Sequence, residues 1–427
     1  MSEILVIGGG MAGVMAALSA RRRGANVRVV RRALGATALS SGAIDVAADP
    51  IAPGGELWAQ RIPPLEAART MARLRPNHPY AVLKDHLGRL EEALRFAVAQ
   101  LDGLVEGPLG QNALLPTPLG TVKPAAMGQR SVLGADLATL PERVAVVSLG
   151  VNPAWDARLI ARGLGEAARA IGRTLEIAVV ESGFFNHIED ALRSPFELGG
   201  RLDAPGALER FAEDLRRALP RGVEAVLLPP VIGWKQKDGV GRLSVLLGGI
   251  RCAELLSQAP SLPGLRLQEA LDAALVRSGI RLEEASVSGT RARDGVFVLS
   301  TAAGAETEVR PDAVVLATGK FIGGGITRER RFTETVLDLP VFAGGRRVRD
   351  EYIGELLSES AVSDHVAFRA GVRTDGTLRP LGTDGAPVHP RLYAAGSVLC
   401  GYDPATDKTG LGVAIFTGYL AGEWAAG

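Results

Sequence analysis

The chain has 427 residues, 47% of them hydrophobic, with 48 Lys and Arg against 47 Asp and Glu and a formal net charge of +1. Such length and apolar content fit two globular domains with ample core, while the balanced charge and 5% aromatic content exclude the electrostatic footprint of a nucleic-acid or acidic-membrane binder. Two cysteines, Cys252 and Cys400, are too few for a disulfide scaffold or for a cysteine-ligated iron–sulfur cluster held by this chain alone, and they fit a reducing compartment.

The uncharged run Ile4 to Ala20 ends in small residues, as a signal peptide would. Yet Glu3 stands where a basic leader belongs, and the arginines follow the run instead of preceding it. No other uncharged stretch reaches the roughly 18 residues of a membrane span. The expectation is a cytoplasmic protein whose contact with a membrane, if any, runs through a partner.

The stretch ILVIGGGMAGVMAALSARRRGANVRVVRR, Ile4 to Arg32, predicts a strand, a glycine-rich turn, a helix and a second strand. Gly8, Gly10 and Gly13 make GxGxxG: the first allows the tight turn, the second lets backbone approach a pyrophosphate, and the third lets the helix pack closely on the strand. The helix start at Met11 and Ala12 then offers N–H groups and a partial positive charge to phosphate. At the end of the second strand, where an acid would hold a ribose hydroxyl pair, stand Arg31 and Arg32. Three readings stay open: a 2′-phosphate and hence NADP, a solvated strand end, or an adenosine held differently or missing because the cofactor is a mononucleotide.

A Ser/Gly-rich loop, ATALSSGAID, follows, and residues of about 50 to 115 read mainly as helices, LEEALRFAVAQL among them. Then comes a second alternating region. RVAVVSLGV, LEIAVVES and VEAVLLPPVIGW read as strands, and DARLIARGLGEAARAIG and ALERFAEDLRRALP as helices, together an independent α/β layer inserted into the first domain. From LPGLRLQEALDAALVRSGIRL the pattern returns to a helix and short alternating strands, GVFVLST and AETEVR, and ends in DAVVLATGK.

That last stretch follows a β-meander and has the form by which two-dinucleotide-type flavoproteins bring Thr318 and Gly319 near the cofactor; Val287 is expected at the same site. LYAAGS places Gly396 and Ser397 after a strand, and TGLGVAIFTGYLAGE opens a helix whose first residues, Gly410, Leu411, Gly412 and Val413, would point at the flavin C2 carbonyl. The helix dipole there stabilises negative charge on a reduced ring. Any one of these features could be a buried strand with a glycine cap. In this order they select flavin, FAD or FMN, over nicotinamide.

The residues resemble the B-subunit family of anaerobic glycerol-3-phosphate dehydrogenases. The resemblance runs from end to end, through VIGGGMAGVMAAL, LLPTPLGTVKPAAM, CAELLSQAPSLPGLRLQEAL, VVLATGKFIGGGI, FTETVLDLPVF, GVRTDGTLRPL and LYAAGSVLCGYDPATDKTGLGVAIFTGY. Its more specific marks are the SSG loop, the PSLPGLRL stretch and AGSVLCGYDP, and Ser40, Ser41 and Gly42 are expected at the cofactor with it. The resemblance implies a flavin-bearing subunit that works with a catalytic FAD subunit and a membrane-associated iron–sulfur subunit. It also implies oxidation of sn-glycerol 3-phosphate to dihydroxyacetone phosphate, with electrons passed to quinone. The family's cofactor is usually given as FMN, whereas the intact dinucleotide turn suits FAD. Ser397 stands where many flavoproteins have an acid.

Oxidising a secondary alcohol requires a base, a hydride acceptor and a clamp for the phosphate dianion. Clamp candidates are Lys123, Lys320, Arg379 and Lys408, each of which could instead be a surface charge; Lys408 is preferred because its loop is expected beside the ring. His187 and His365 read as structural histidines, no His pair has metal-ligand spacing, and Cys400 reads as a small buried side chain. No catalytic base emerges.

The expected fold is α/β: a Rossmann-like flavin-binding domain of glutathione-reductase type with a β-meander, from residues 1–49, 264–320 and 385–427, plus an inserted mixed α/β cap from 50–263 and 321–384. Rival readings are a non-catalytic electron relay, an NADP-dependent reductase built on Arg31 and Arg32, and a scaffold without cofactor.

Overall fold

The computed structural model describes residues 2–50, 57–150, 152, 154–185, 193–236, 238–289, 295–329, 331–360 and 363–427. Two parallel sheets organise the chain. The strands of these two sheets, in order, are β1 (Glu3–Ile7), β2 (Asn26–Arg31), β3 (Arg143–Ser148), β4 (Glu176–Glu181), β5 (Ala225–Leu228), β6 (Arg251–Glu254), β7 (Arg281–Glu284), β8 (Ala313–Leu316) and β9 (Leu392–Ala394). The first sheet has the order β7-β2-β1-β8-β9 and the second β6-β5-β3-β4, with every neighbouring pair parallel. A three-stranded antiparallel meander, Ser286–Ser288, Phe297–Ser300 and Glu306–Val309, leads from β7 to β8.

Strands buried on both faces read as continuous apolar runs, and β1, β5 and β8 do so: their valines, leucines and isoleucines are almost wholly inside. Helix α1 (Met11–Arg22) covers the first sheet together with the C-terminal helix α3 (Gly410–Ala426). The two helices meet backbone to backbone, since a β-carbon on Gly418 would lie 2.2 Å from the Ala12 carbonyl oxygen. Helix α3 is buried from Gly412 to Glu423, so its apolar surroundings are the protein itself. Among the described residues, no helix is long and apolar enough to cross a membrane.

Helix α2 (Leu262–Arg277) joins the two parts. Its buried Arg266 pairs with Glu254 at the end of β6 at 2.7 Å and also donates to the Ile232 carbonyl, while Glu254 accepts the Ile232 N–H at 2.8 Å. Two details differ from the sequence pattern. The expected strand VEAVLLPPVIGW stops at Leu228, because Pro229 and Pro230 have no N–H for a ladder, and Arg251–Glu254 supplies the fourth strand instead. The core of the first sheet also takes in Tyr80, Leu94, Ala97, Val341 and Val372, from segments the pattern assigns to the cap, because their apolar side chains pack there with α1 and α3.

Candidate functional site

At the C-terminal edge of the first sheet the chain leaves a cleft of about 820 Å³. Its floor is the turn between β1 and α1. Gly8 has φ +124°, and a β-carbon on it would lie 2.1 Å from the Ala317 carbonyl oxygen; one on Gly13 would lie 1.8 Å from the Gly8 oxygen. Only glycine lets the turn, the helix and β8 close together here.

The helix N-terminus acquires a partner that sequence reasoning missed. Thr37 Oγ1 accepts the Met11 N–H at 3.0 Å, caps α1 and lines the cleft with its own hydroxyl proton left to donate. A threonine in the polar loop after the second strand was the available signal.

Arg31 is no solvated strand end. Its guanidinium makes two bonds to Asp272 of α2, at 2.8 and 2.7 Å, and lies 3.5 Å from Glu284. Gln268 ties the pair to the turn by donating 2.8 Å bonds to Asp272 and to the Gly9 carbonyl. The acid absent from the end of β2 thus arrives from another helix, and it neutralises the charge that a 2′-phosphate would require. Arg32 reaches across to the loop at Gly324, where a β-carbon would lie 2.7 Å from its guanidinium.

Of the residues expected at the cofactor, Gly8, Gly10, Met11, Ala12, Arg31, Arg32, Ser40, Ser41, Val287, Thr318, Gly319, Ser397, Gly410 and Leu411 line this one cleft. Gly13, Gly42, Gly396, Gly412 and Val413 do not. Gly42 packs on Pro263, and Gly396 faces Ala12 with its N–H on Thr417 at 2.8 Å. The Gly412 and Val413 N–H groups are bonded to the carbonyls of Asp45 and Thr409, both at 2.8 Å. Of the four residues expected from α3, Gly410 and Leu411 are therefore the ones left to face a ligand.

The cleft fits a polar cofactor on its own evidence. Arg31 Nε, Ser40 Oγ, Ser41 Oγ and Thr318 Oγ1 are buried, lack a hydrogen-bond partner, and all belong to residues of its wall. Buried polar groups without partners are rare in folded proteins, so four around one cavity mark where a ligand's oxygens and nitrogens belong.

Lys123 from the strand Val122–Ala125 meets Asp45 at 2.8 Å, and both line the cleft. Lys408 stands just outside the lining, half-buried; burial first, then the charge of Lys123, push its ammonium below the usual lysine range. The two other clamp candidates already have partners, although Lys320 also lines the cleft. Lys320 is 8% exposed and donates to the Phe368 and Tyr402 carbonyls at 2.6 and 3.2 Å, and burial lowers it to about 8. Arg379 is tied to Asp375 at 2.8 Å, away from the cleft.

No histidine lines the cleft among the described residues, and His187 lies outside them. His365 accepts the Ser358 N–H at 3.0 Å. His78 is fully buried and held neutral, lowered to about 3 by burial and then by Arg75 and Arg369. The carboxylates on the wall are Asp45 and Asp403, and Asp403 Oδ1 already accepts the Ala405 N–H at 2.9 Å.

A glycine turn at the C-terminal edge of a parallel sheet, a capped helix start and orphaned hydroxyls define a dinucleotide-type flavin site, and the relatives of the chain agree. The family model described as FAD binding domain matches residues 3–413, and the protein is a flavoprotein of α/β flavin-binding fold. The chain is 33% identical over 448 residues to the probable anaerobic glycerol-3-phosphate dehydrogenase B-subunit of Halobacterium salinarum, spanning 100% of this chain and 98% of that one. It is 28% identical over 441 residues to the anaerobic glycerol-3-phosphate dehydrogenase B-subunit of Yersinia pestis, with 99% and 97% covered. The chain belongs to the B-subunit family of anaerobic glycerol-3-phosphate dehydrogenases. Among solved structures, 3-ketosteroid delta1-dehydrogenase from Sterolibacterium denitrificans is 13% identical, with 100% of both chains covered and a TM-score of 0.44.

Proposed function

We propose that this protein is the flavin-bearing subunit of a cytoplasmic complex that oxidises sn-glycerol 3-phosphate to dihydroxyacetone phosphate and delivers the electrons to quinone. A catalytic FAD subunit and an iron–sulfur subunit would complete the complex, the latter holding it at the inner face of the cell membrane. The cofactor is FAD, not FMN, because the cleft continues past the phosphate-binding turn to Ala285, Ser286 and Val287, where an adenosine has room.

The observation that carries the reading is the Lys123–Asp45 pair on the cleft wall, with Lys408 beside it. When bound, the flavin supplies the hydride acceptor. Lys123 and Lys408 place two ammonium groups where the substrate's phosphate dianion needs countercharge. Asp45 and Asp403 are the carboxylates of the described wall from which an acceptor for the hydroxyl proton would come, each with one oxygen already engaged. Thr37 and the α1 N-terminus hold the pyrophosphate, and Asp272 fixes Arg31 in place on the cleft wall.

A relay reading stays in play on one observation, the lack of a histidine on the cleft wall among the described residues. The two are separated by mixing the purified holo-protein anaerobically with sn-glycerol 3-phosphate and following flavin absorbance. Bleaching places alcohol oxidation on this subunit. A flavin reducible by dithionite but not by substrate moves that step to the partner, and FMN released on denaturation would overturn the FAD assignment.

A further inference from the structure

A second cavity, of about 510 Å³, shares no lining residue with the flavin cleft. That volume lies within the roughly 300–1,000 Å³ of small-molecule sites. Three arginines stand on its wall, and two are neutralised. Arg75 lies 2.8 Å from Asp407, and Arg369 lies 2.9 Å from Asp364 and 3.5 Å from Asp407.

Arg373 is the exception. Its guanidinium lies 4.3 Å over the Phe342 ring, its Nε is buried without a hydrogen-bond partner, and among the described residues no carboxylate pairs with it. Cys400, on the same wall, brings no compensating charge, because burial pushes its thiol up to about 11. A guanidinium stacked on an aromatic ring keeps its N–H edge free for a bidentate oxyanion. Leaving a buried charged donor unmatched is costly, so the arrangement calls for an acceptor.

We propose that this cavity binds a small phosphate-bearing molecule, its phosphate seated on the Nε–Nη edge of Arg373. Phosphate suits the wall better than carboxylate. Asn77 and Thr374 line the same cavity and carry neutral donors, and a phosphate monoester has three terminal oxygens to share among them and Arg373. The site is independent of the reaction assigned to the flavin. Its Arg75 pairs with Asp407, the residue before Lys408 in the chain.

The test is calorimetric titration of the flavin-loaded full chain at constant ionic strength with inorganic phosphate, with sn-glycerol 3-phosphate and with malonate. Measured in a Lys123→Gln background, which removes a phosphate ligand of the flavin cleft, phosphate should still bind, and adding Arg373→Gln should weaken that binding at least about tenfold. Competition by sn-glycerol 3-phosphate would identify the natural ligand as a phosphate ester. Equal affinity in Arg373→Gln, no binding up to about 10 mM, or binding of malonate in place of phosphate would overturn the proposal. Because the variant could lose its fold, wild-type protein is also labelled with phenylglyoxal. Phosphate should protect Arg373 in the peptide map, and failure to protect it equally overturns the site.

Discussion

The two parallel sheets of this chain have the same local grammar and opposite fates at their C-terminal edges. In open α/β sheets that edge is where ligands settle. In the first sheet, β1 runs into glycines and the edge stays hollow, walled by hydroxyls that lack partners. In the second, β3 runs into Leu149 and Trp155, β5 into Val231 and Ile232, and β6 into Leu255, all buried in the sheet's own core. Trp155 even returns its indole N–H to the Val147 carbonyl at 2.7 Å. Fold topology therefore offers the crevice, and side-chain volume decides whether it is a site or a plug.

Putting volume into the hollow edge should have the largest effect. Gly13→Val adds atoms where a β-carbon alone already falls 1.8 Å from the Gly8 oxygen, so loss of flavin absorbance, a lower melting temperature and an overpacking cost of about 3 kcal/mol or more are expected. A stably folded variant that still holds flavin would break the comparison.

Disturbing the plugged edge should cost stability and spare the cofactor. Glu254→Gln leaves Arg266 buried without its carboxylate, a loss of about 3–5 kcal/mol in denaturant titration, with flavin retained in the folded fraction. Replacing both partners, with Arg266→Met added, should recover much of that loss.

Smaller still is Asp272→Asn. It leaves Arg31 against the glycine turn with only the exposed Glu284 as countercharge, costing about 1–3 kcal/mol and weakening flavin retention on a desalting column. Unchanged retention would mean that the pair serves the fold alone. The smallest effect belongs to Trp155→Phe, which deletes one buried hydrogen bond, about 1 kcal/mol by denaturation, and should leave flavin content as it was.

Much of the first region was legible because its signals are local. Gly8, Gly10 and Gly13 announce a turn whose geometry only glycine allows, and the apolar runs on either side have the lengths of a strand and a helix. The inserted α/β layer was legible as alternating elements for the same reason, but its missing fourth strand was not: RCAE has no apolar run, and it becomes a strand by pairing with β5. Lys320 was only partly legible: a lysine after a glycine reads as a surface charge or a clamp, and it does line the cleft, but its ammonium is buried on two backbone carbonyls that only the folded loop brings within reach.

The sequence by itself determined the strand–turn–helix–strand opening, the flavin-type succession of segments and the family, since each rests on residues close together in the chain. Tertiary structure alone decided that Asp272 meets Arg31, that Lys123 meets Asp45, that Thr37 caps α1, and that one sheet edge is open while the other is filled. Those pairings join residues far apart in sequence. They form only when burial of the apolar faces has fixed the strand order and helix positions, and no local pattern of charge or hydropathy encodes which distant group will stand opposite.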